Sequence, residues 1–296
     1  MSDHSNCSAV CPVCPHRCRI AEGKTGRCRA RGTRDGSVVP LNYGLVTSLA
    51  LDPIEKKPLA RFYPGSKILS VGSYGCSLNC PFCQNWEISM SDGQEFRHGR
   101  RAEDNYVSPE ALADMAEHLR LQRNIGVAFT YNEPLISYEY VRDTSKILHE
   151  RGLKSVVVTN GTADISVLNE LLGLVDAMNI DLKGFTSGFY QKVLKGDLEM
   201  VKRFITVAVT GCHVELTTLI IPGENDSDEE IRELARWVAS LKVNGSGTSG
   251  SEIPLHITRF FPAFMMTDRM ATDVASVYHL AAVAGEYLKF VYPGNC

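Results

Sequence analysis

The stretch that decides the fold is Gly75-Cys76-Ser77-Leu78-Asn79-Cys80-Pro81-Phe82-Cys83-Gln84-Asn85, with three cysteines at C-x3-C-x2-C spacing. Iron–sulfur clusters are held by cysteine thiolates, and a 4Fe–4S cube has four iron corners. Gaps of three and two residues let the thiolates converge from one tight loop, so that the fourth iron has no local cysteine. In a catalytic metal site, an open coordination position is where substrate binds. The spacing therefore predicts that Cys76, Cys80 and Cys83 hold a 4Fe–4S cluster with one open iron.

Such a cluster can bind the amino and carboxylate groups of S-adenosylmethionine (SAM). An electron from the cluster would then break a carbon–sulfur bond and release a 5′-deoxyadenosyl radical. Two other interpretations of the three cysteines stay open on spacing alone. One is a structural zinc knuckle in an interaction module, and the other is an electron carrier whose cluster takes a fourth cysteine from elsewhere.

Composition narrows the class of protein. The chain has 296 residues, of which 44% are hydrophobic and 22% charged, as in an ordinary globular protein with one large domain or a barrel and a small appendage. The net charge of −3 gives no indication of nucleic-acid binding. The sequence has no apolar secretion signal near its start and no long apolar run, so we expect a cytoplasmic protein that does not span a membrane.

Ten cysteines without an export signal are more typical of metal ligands than of disulfides. Eight of the ten precede residue 84, which indicates two metal sites in the first third of the chain. Residues 1–40 are predicted to form a metal-binding module, residues 41–66 a connector, and residues 67–296 the core domain. Within the module, the C-x2-C-x3-C-x9-C pattern supplies four thiolates for a zinc ion or a fully ligated cluster, from Cys11, Cys14, Cys18 and Cys28. Cys7 is a weaker candidate on a polar terminus.

Strand and helix patterns alternate regularly after residue 67. Six apolar or β-branched runs are each followed by a helical segment, at 67–72, 126–130, 154–158, 177–181, 213–221 and 255–258. Repeated βα units predict a parallel sheet with helices outside it. Six units cannot close an eight-stranded barrel, so we predict an open α/β architecture, a partial (β/α)6 barrel. Such sheets carry their active sites at the carboxyl ends of the strands.

The cysteine stretch resembles the radical SAM superfamily, whose signature is C-x3-C-x2-C with an aromatic residue before the last cysteine. The resemblance implies that Phe82 lies near the SAM adenine, and Gln84 is a further candidate contact. After the second strand, Thr130–Pro134 stands where enzymes resembling the pyruvate formate-lyase-activating enzyme carry Gly-Gly-Glu-Pro. Asn132 replaces the second glycine here. If the role of that segment applies to this chain, the backbone of residues 130–134 and the Glu133 side chain would hold the SAM ammonium group.

Two further strand ends resemble the same enzymes. The third strand ends in Thr159-Asn160-Gly161, and Val158 replaces an aspartate that precedes this triplet in the relatives. The fourth ends in Asp181-Leu182-Lys183, which those enzymes share. The resemblance implies that Thr159 and Asn160 border SAM. An acid and a base at i and i+2 point the same way from a strand end, so Asp181 and Lys183 suit the SAM ribose and carboxylate.

His256, in the sixth strand, matches a histidine that contacts SAM in the activating enzymes. The alternative is a structural histidine in a strand. A closer resemblance covers nearly the whole chain, because four segments look like the AmmeMemoRadiSam radical SAM enzymes: residues 11–18, 52–59, 83–89 and 129–134. This implies hydrogen abstraction from an unknown substrate, either a glycine of a glycyl-radical enzyme, another protein side chain or a small molecule. It also implies a reductant such as flavodoxin or ferredoxin.

Overall fold

The computed structural model describes residues 8–94, 105–243 and 249–296. Cys7 therefore lies outside the described residues. The six predicted core strands are all present and parallel: β6 (Lys67–Gly72), β7 (Asn124–Phe129), β8 (Lys154–Thr159), β9 (Ala177–Asp181), β10 (His213–Ile220) and β11 (Leu255–Arg259). Each pairs with the next in sequence order, as Val127 with Leu69 and Thr258 with Leu219 show. The predicted parallel α/β core is confirmed.

Two further strands extend this sheet beyond the prediction. β5 (Ser48–Pro53) pairs antiparallel with β6 at one edge, and β12 (Val291–Gly294) pairs parallel with β11 at the other. The described sheet therefore has eight strands in the order β12-β11-β10-β9-β8-β7-β6-β5. Neither edge strand is part of a strand-then-helix repeat, so the repeat pattern did not predict them.

Helices between the strands cover the outer face of the sheet. They are α1 (Trp86–Ser89), α2 (Pro109–His118), α3 (Tyr138–Glu150), α4 (Ile165–Leu171), α5 (Ser187–Phe189), α6 (Leu198–Ala208), α7 (Asp228–Ala239) and α8 (Val274–Gly285). Side-chain caps start several of them: Ser108 accepts from the Ala111 N–H before α2, and Asp197 accepts from the Met200 N–H before α6. No helix of the described residues is long and apolar enough to cross a membrane.

The connector packs into the end of the barrel opposite the strand ends. Ile54 and Leu59 are fully buried, and Lys57 is buried with its Nζ 2.8 Å from Asp52 Oδ2. The Asn179 side chain donates to the Pro58 carbonyl at 2.8 Å. A buried lysine needs such a partner, because an unpaired charge in the interior is costly. Lys57 thus belongs to a plug that fills this end of the barrel, whereas Glu55 and Lys56 of the same segment are exposed.

The N-terminal residues form two hairpins against the core. β1 (Ser8–Val10) pairs with β2 (Arg19–Ala21), and β3 (Arg31–Arg34) pairs with β4 (Ser37–Pro40), all antiparallel. Arg31 is buried and makes a bidentate ion pair with Glu139 of α3, at 3.0 and 2.9 Å. This contact ties the second hairpin to the core helices.

Candidate active site

The carboxyl ends of the core strands open onto a cavity of about 250 Å³. The cysteine loop between β6 and α1 forms one wall, and the ends of β7 to β11 form the others. All but one of the sequence-predicted cluster and cofactor residues line this cavity: Cys76, Cys80, Phe82, Cys83, Gln84, Asn132, Glu133, Thr159, Asn160, Asp181 and Lys183. The full lining joins the cysteine loop to the ends of the five core strands β7 to β11 and to Asn295 after β12, as the convergence of parallel strand ends predicts.

In the cysteine loop Cys80 is buried and Cys76 and Cys83 are half-buried, beside groups that suit bound thiolates. Burial, with the charge of Glu133, raises the pKa of Cys76 well above its usual range. Burial raises the pKa of Cys80 to about 12, although the positive charge of Lys183 acts to lower it. The Leu78 N–H and the Asn160 side-chain amide face Cys76 Sγ at 3.4 and 3.6 Å. A thiolate in this setting requires positive charge, which iron supplies.

The described residues contain no group of three His, Cys, Asp or Glu side chains already arranged around a single metal ion. A 4Fe–4S cube binds one thiolate at each iron, so its ligands lie further apart than those of one ion. The three thiols are close enough to interact electrostatically, since Cys80 and Cys83 both raise the pKa of Cys76. The three thiols, their degree of burial and the N–H groups that face the Cys76 sulfur thus fit the ligands of an iron–sulfur cluster.

Asn132 attaches the end of β7 to the cysteine loop. Its Oδ1 accepts from the Ser73 N–H at 3.0 Å, and its Nδ2 donates to the carbonyls of Tyr74 and Gly75 at 3.1 and 3.0 Å. A glycine here, as in the related activating enzymes, makes none of these bonds. The departure from the family pattern therefore has a structural role that the sequence did not predict.

Glu133 joins the ends of β7 and β8. Its carboxylate accepts hydrogen bonds from the Leu135 N–H, the Thr159 hydroxyl and the Asn160 N–H, at 3.0, 2.7 and 2.8 Å. The side chain is buried, and that burial raises the pKa of Glu133 to about 7 despite these three donors. A cation entering the cavity would favour the ionised carboxylate, because opposite charge stabilises the charged form.

Asp181 and Lys183 form an ion pair at the end of β9. Lys183 Nζ lies 2.8 Å from Asp181 Oδ2, and both side chains line the cavity on the same side, as predicted. Burial acts to lower the pKa of Lys183, but Asp181 and the nearby Cys80 thiol raise it, so the lysine is positively charged. The pair places one positive and one negative group beside the cysteine loop, where a zwitterionic ligand could meet both.

His256 is the one candidate that the structure does not bring into the cavity. Its Nε2 lies 2.7 Å from Glu215 Oε2, and its ring stacks on Tyr292 with centroids 5.3 Å apart. Glu215 also contacts His213 at 2.9 Å. The residue occupies a layer of the barrel interior below Thr258, which does line the cavity.

Sequence reasoning missed Glu215, although a glutamate inside the β-branched run of β10 was a visible signal. The side chain is fully buried and accepts from the backbone N–H groups of Ala60 and Arg61 at 2.9 and 2.8 Å. Burial alone would raise the pKa of Glu215, but hydrogen bonds from His213, His256 and these N–H groups lower it to about 2. The carboxylate thus fastens the connector plug beneath the cavity.

The four cysteines of the N-terminal module are near enough to interact electrostatically, but in the described residues no three of them are already arranged around a single metal ion. The pKa of Cys14 is raised to about 12, mainly by burial, and the Cys28, Cys11 and Cys18 thiols act in the same direction. The Arg27 N–H faces Cys18 Sγ at 3.4 Å. Gly75 is left-handed, with φ +85°, and a side chain there would meet the Cys28 carbonyl at 2.5 Å. The module is therefore packed directly on the start of the cysteine loop.

Comparison with known proteins identifies the family of this protein. Residues 70–237 match the Radical SAM superfamily, and the chain belongs to that family. It is 38% identical over 287 residues to an uncharacterized protein of Methanocaldococcus jannaschii, which covers 96% of this chain and 80% of the relative. It is also similar to the pyruvate formate-lyase-activating enzyme of Clostridium pasteurianum, with 26% identity over 175 residues, 57% of this chain and 68% of that enzyme.

Among solved structures, Streptococcus suis SuiB bound to S-adenosylmethionine aligns with a TM-score of 0.57 and 14% identity. The alignment covers 77% of this chain and 52% of SuiB, so the likeness shows the fold alone. Superfamily membership confirms the predicted enzyme class and implies a 4Fe–4S cluster and SAM as cofactors. The electron-carrier and zinc-module interpretations are thereby set aside.

Proposed function

We propose that Cys76, Cys80 and Cys83 hold the SAM-binding 4Fe–4S cluster and that the cavity above them binds SAM for reductive cleavage. The observation that supports this most directly is the meeting of the three cysteines with five other strand-end segments at one cavity. When bound, the cluster and SAM supply one-electron chemistry that yields a 5′-deoxyadenosyl radical. The buried walls keep water away from that radical.

The chain's own side chains would orient SAM by charge. Glu133 is placed to accept the methionyl ammonium group, while Lys183 and Asp181 are placed to meet the carboxylate and ribose hydroxyls. Phe82 offers an aromatic contact for the adenine, and Gln84 lies beside it in the same wall. Thr159 and Asn160 act through Glu133, since both donate to its carboxylate. His256 is a positioning residue of the barrel interior in this scheme.

We further infer that the enzyme is of the AmmeMemoRadiSam type and abstracts a hydrogen atom from its substrate. Similarity to an activating enzyme for pyruvate formate-lyase supports a glycine of a partner glycyl-radical enzyme as one candidate. A small molecule or another protein side chain is the other candidate, because fold does not fix substrate. A carrier such as flavodoxin or ferredoxin would provide the electron.

A second metal site is proposed in the N-terminal module, held by Cys11, Cys14, Cys18 and Cys28. The mutual proximity of these thiols and the N–H group facing Cys18 support it. Four thiolates close either a tetrahedral zinc site or a fully ligated cluster, with no open position for SAM. A module this small, with little apolar core of its own, depends on such a site for its order.

The test is anaerobic incubation of reconstituted, dithionite-reduced protein with SAM, with 5′-deoxyadenosine as the product measured. We expect the wild type to form it and a variant with alanine at Cys76, Cys80 and Cys83 to form none. Cys212→Ala is the matched control, because this half-buried cysteine lies outside both sites and should leave product formation unchanged. Undiminished product in the triple variant would overturn the proposal.

Metal analysis of the same triple variant tests the second site. About one zinc per chain would indicate a structural knuckle, and about four irons with sulfide would indicate a cluster. Neither metal in a folded module would show that the four cysteines do not form a site.

A further inference from the structure

The N-terminal module differs in charge from the rest of the chain. Residues 1–40 contain seven arginines and lysines against three acidic residues, whereas residues 41–296 contain 24 against 31. With neutral cysteines the module therefore carries +4 and the remainder −7, which together give the net −3. Four thiolates on a zinc ion or on an oxidised 4Fe–4S cluster would add a net −2, and the module would still be positive at +2. Five of its basic side chains are exposed: Arg17, Arg19, Lys24, Arg27 and Arg34. Such a contrast creates a local positive field on a negative protein.

Part of this basic surface surrounds a depression on the outer side of the cysteine loop. The depression has a volume of about 290 Å³, and we call it the basic depression; its lining includes Pro15, His16, Arg27, Gln191, Lys195 and Asp197. Arg27 and Lys195 are exposed at its rim. Asp197 is the one acidic side chain in this lining, and its carboxylate caps α6 by accepting from the Met200 N–H at 3.2 Å. It keeps its negative charge, so with Arg27 and Lys195 the lining has a formal net charge of +1.

Both sides of the basic depression are hydrogen-bonded to the cysteine loop. His16 Nε2 lies 2.8 Å from the Ser77 carbonyl oxygen, next in sequence to Cys76. On the other side, the Asn79 N–H donates to the carbonyl of Leu194 at 3.1 Å, next to Lys195. The depression is thus lined in part by residues that are hydrogen-bonded to the backbone of the cysteine loop, or that adjoin such residues. Cys14 and Cys18 flank His16 in sequence.

We propose that the basic depression is the docking site for an acidic one-electron carrier protein, and that the electron for SAM cleavage enters here. This inference rests on the proposed function and adds the place of electron entry. In the step, the reduced carrier loses one electron and the cluster held by Cys76, Cys80 and Cys83 gains it. Opposite charge would steer the carrier to this face, as in other weak, fast electron-transfer encounters.

The position of the basic depression favours an electron carrier over other partners. The basic depression lies behind the cysteine loop rather than at the open mouth of the cavity, where a substrate must reach the radical. A substrate docked behind the loop would be separated from SAM by the loop itself. An electron, by contrast, needs only proximity.

The experiment measures cluster reduction without SAM, as loss of the visible iron–sulfur absorbance under anaerobic stopped-flow mixing. The probes are reduced flavodoxin and, separately, reduced ferredoxin. With at least one of them, we expect a wild-type rate that falls steeply between low and moderate salt, because screening weakens steering. The double variant Arg27→Glu, Lys195→Glu should reduce about tenfold or more slowly at low salt.

Three controls distinguish a loss of carrier docking from a folding defect and from failure of the proposed function. Lys146→Glu reverses an exposed charge on α3 and should leave the carrier rate unchanged. Iron content and reduction by dithionite should be the same in all variants. SAM cleavage driven by dithionite should also be unchanged, since it bypasses docking; its absence even in the wild type would count against the proposed function instead.

Several outcomes would overturn the docking proposal. A wild-type protein that neither carrier reduces has no such site, and a salt-independent rate or an undiminished rate in the double variant means that charge at this face does not guide the carrier. If the double variant keeps carrier reduction but loses binding to a transfer RNA or a single-stranded oligonucleotide, the basic depression serves nucleic acid.

Discussion

Asn132→Ala tests how the cysteine loop is held in place. The side chain makes three hydrogen bonds to consecutive backbone groups just before Cys76, on Ser73, Tyr74 and Gly75. Alanine removes all three at once. The Tyr74 carbonyl keeps a second donor, because the Asn42 side-chain amide lies 3.0 Å from it. The Gly75 carbonyl keeps the Glu133 N–H as a donor at 3.5 Å, whereas the Ser73 N–H loses its Asn132 partner.

The expected size of the effect follows from these contacts. A typical intramolecular hydrogen bond contributes about 0.5–1.5 kcal/mol net, so three give about 2–4 kcal/mol. Asn132 is half-buried, so water can reach part of the vacated space, and both carbonyls keep a second donor. We therefore expect the free energy of unfolding to fall by about 2 kcal/mol. Asn132→Gly, which restores the residue of the related enzymes, should lose roughly 0.5–1 kcal/mol more through backbone entropy.

The assay is urea unfolding of the cluster-free protein, followed by circular dichroism and extrapolated linearly to water. The matched control is Asn85→Ala. Asn85 is exposed and its amide donates a single hydrogen bond, to the Tyr131 carbonyl at 2.9 Å, so its loss should stay below about 1 kcal/mol. Iron incorporation after reconstitution should fall in Asn132→Ala and not in the control. If Asn132→Ala loses no more stability than Asn85→Ala, the three bonds do not hold the loop.

Three other expectations follow from the same geometry. Glu133→Ala or Asp181→Ala should weaken SAM binding by about 1–3 kcal/mol, the usual cost of an unpaired charged partner, and calorimetric titration giving wild-type affinity for both would remove them from the site. Glu215, with a folded pKa of about 2, stabilises the fold above its unfolded pKa near 4.5 and loses that contribution as pH falls toward 2. Glu215→Gln should therefore cost about 3 kcal/mol at pH 7, and a gap that does not narrow in unfolding curves between pH 4.5 and 2 would contradict this. Asn160→Ala removes a side-chain amide that faces Cys76 Sγ, so the reduction potential of the cluster should become roughly 40 mV more negative, about 1 kcal/mol for one electron. The measurement is an EPR-monitored redox titration, and an unchanged potential would show that this contact does not tune the cluster.

The sequence by itself determined the core fold and the edge of the sheet where the chemistry lies. Six βα repeats require a parallel sheet, and the carboxyl ends of parallel strands meet at one edge. Residues at the end of a strand, such as Asp181, or in the turn after it, such as Glu133, were therefore predictable members of one cavity. The C-x3-C-x2-C spacing is local, so the loop that carries it needed no tertiary information.

Only the tertiary structure decided how deep in the barrel a side chain lies and which residue it pairs with. His256 lies two residues before Thr258 on the same face of β11, and two residues along a strand are about 7 Å, which is one layer deeper in the barrel. There it pairs with Glu215 instead of facing the cavity. The sequence shows which face a side chain takes, because that face alternates with period two. It does not show how far the cavity reaches down that face, since the connector plug that fills the space below comes from a distant part of the chain.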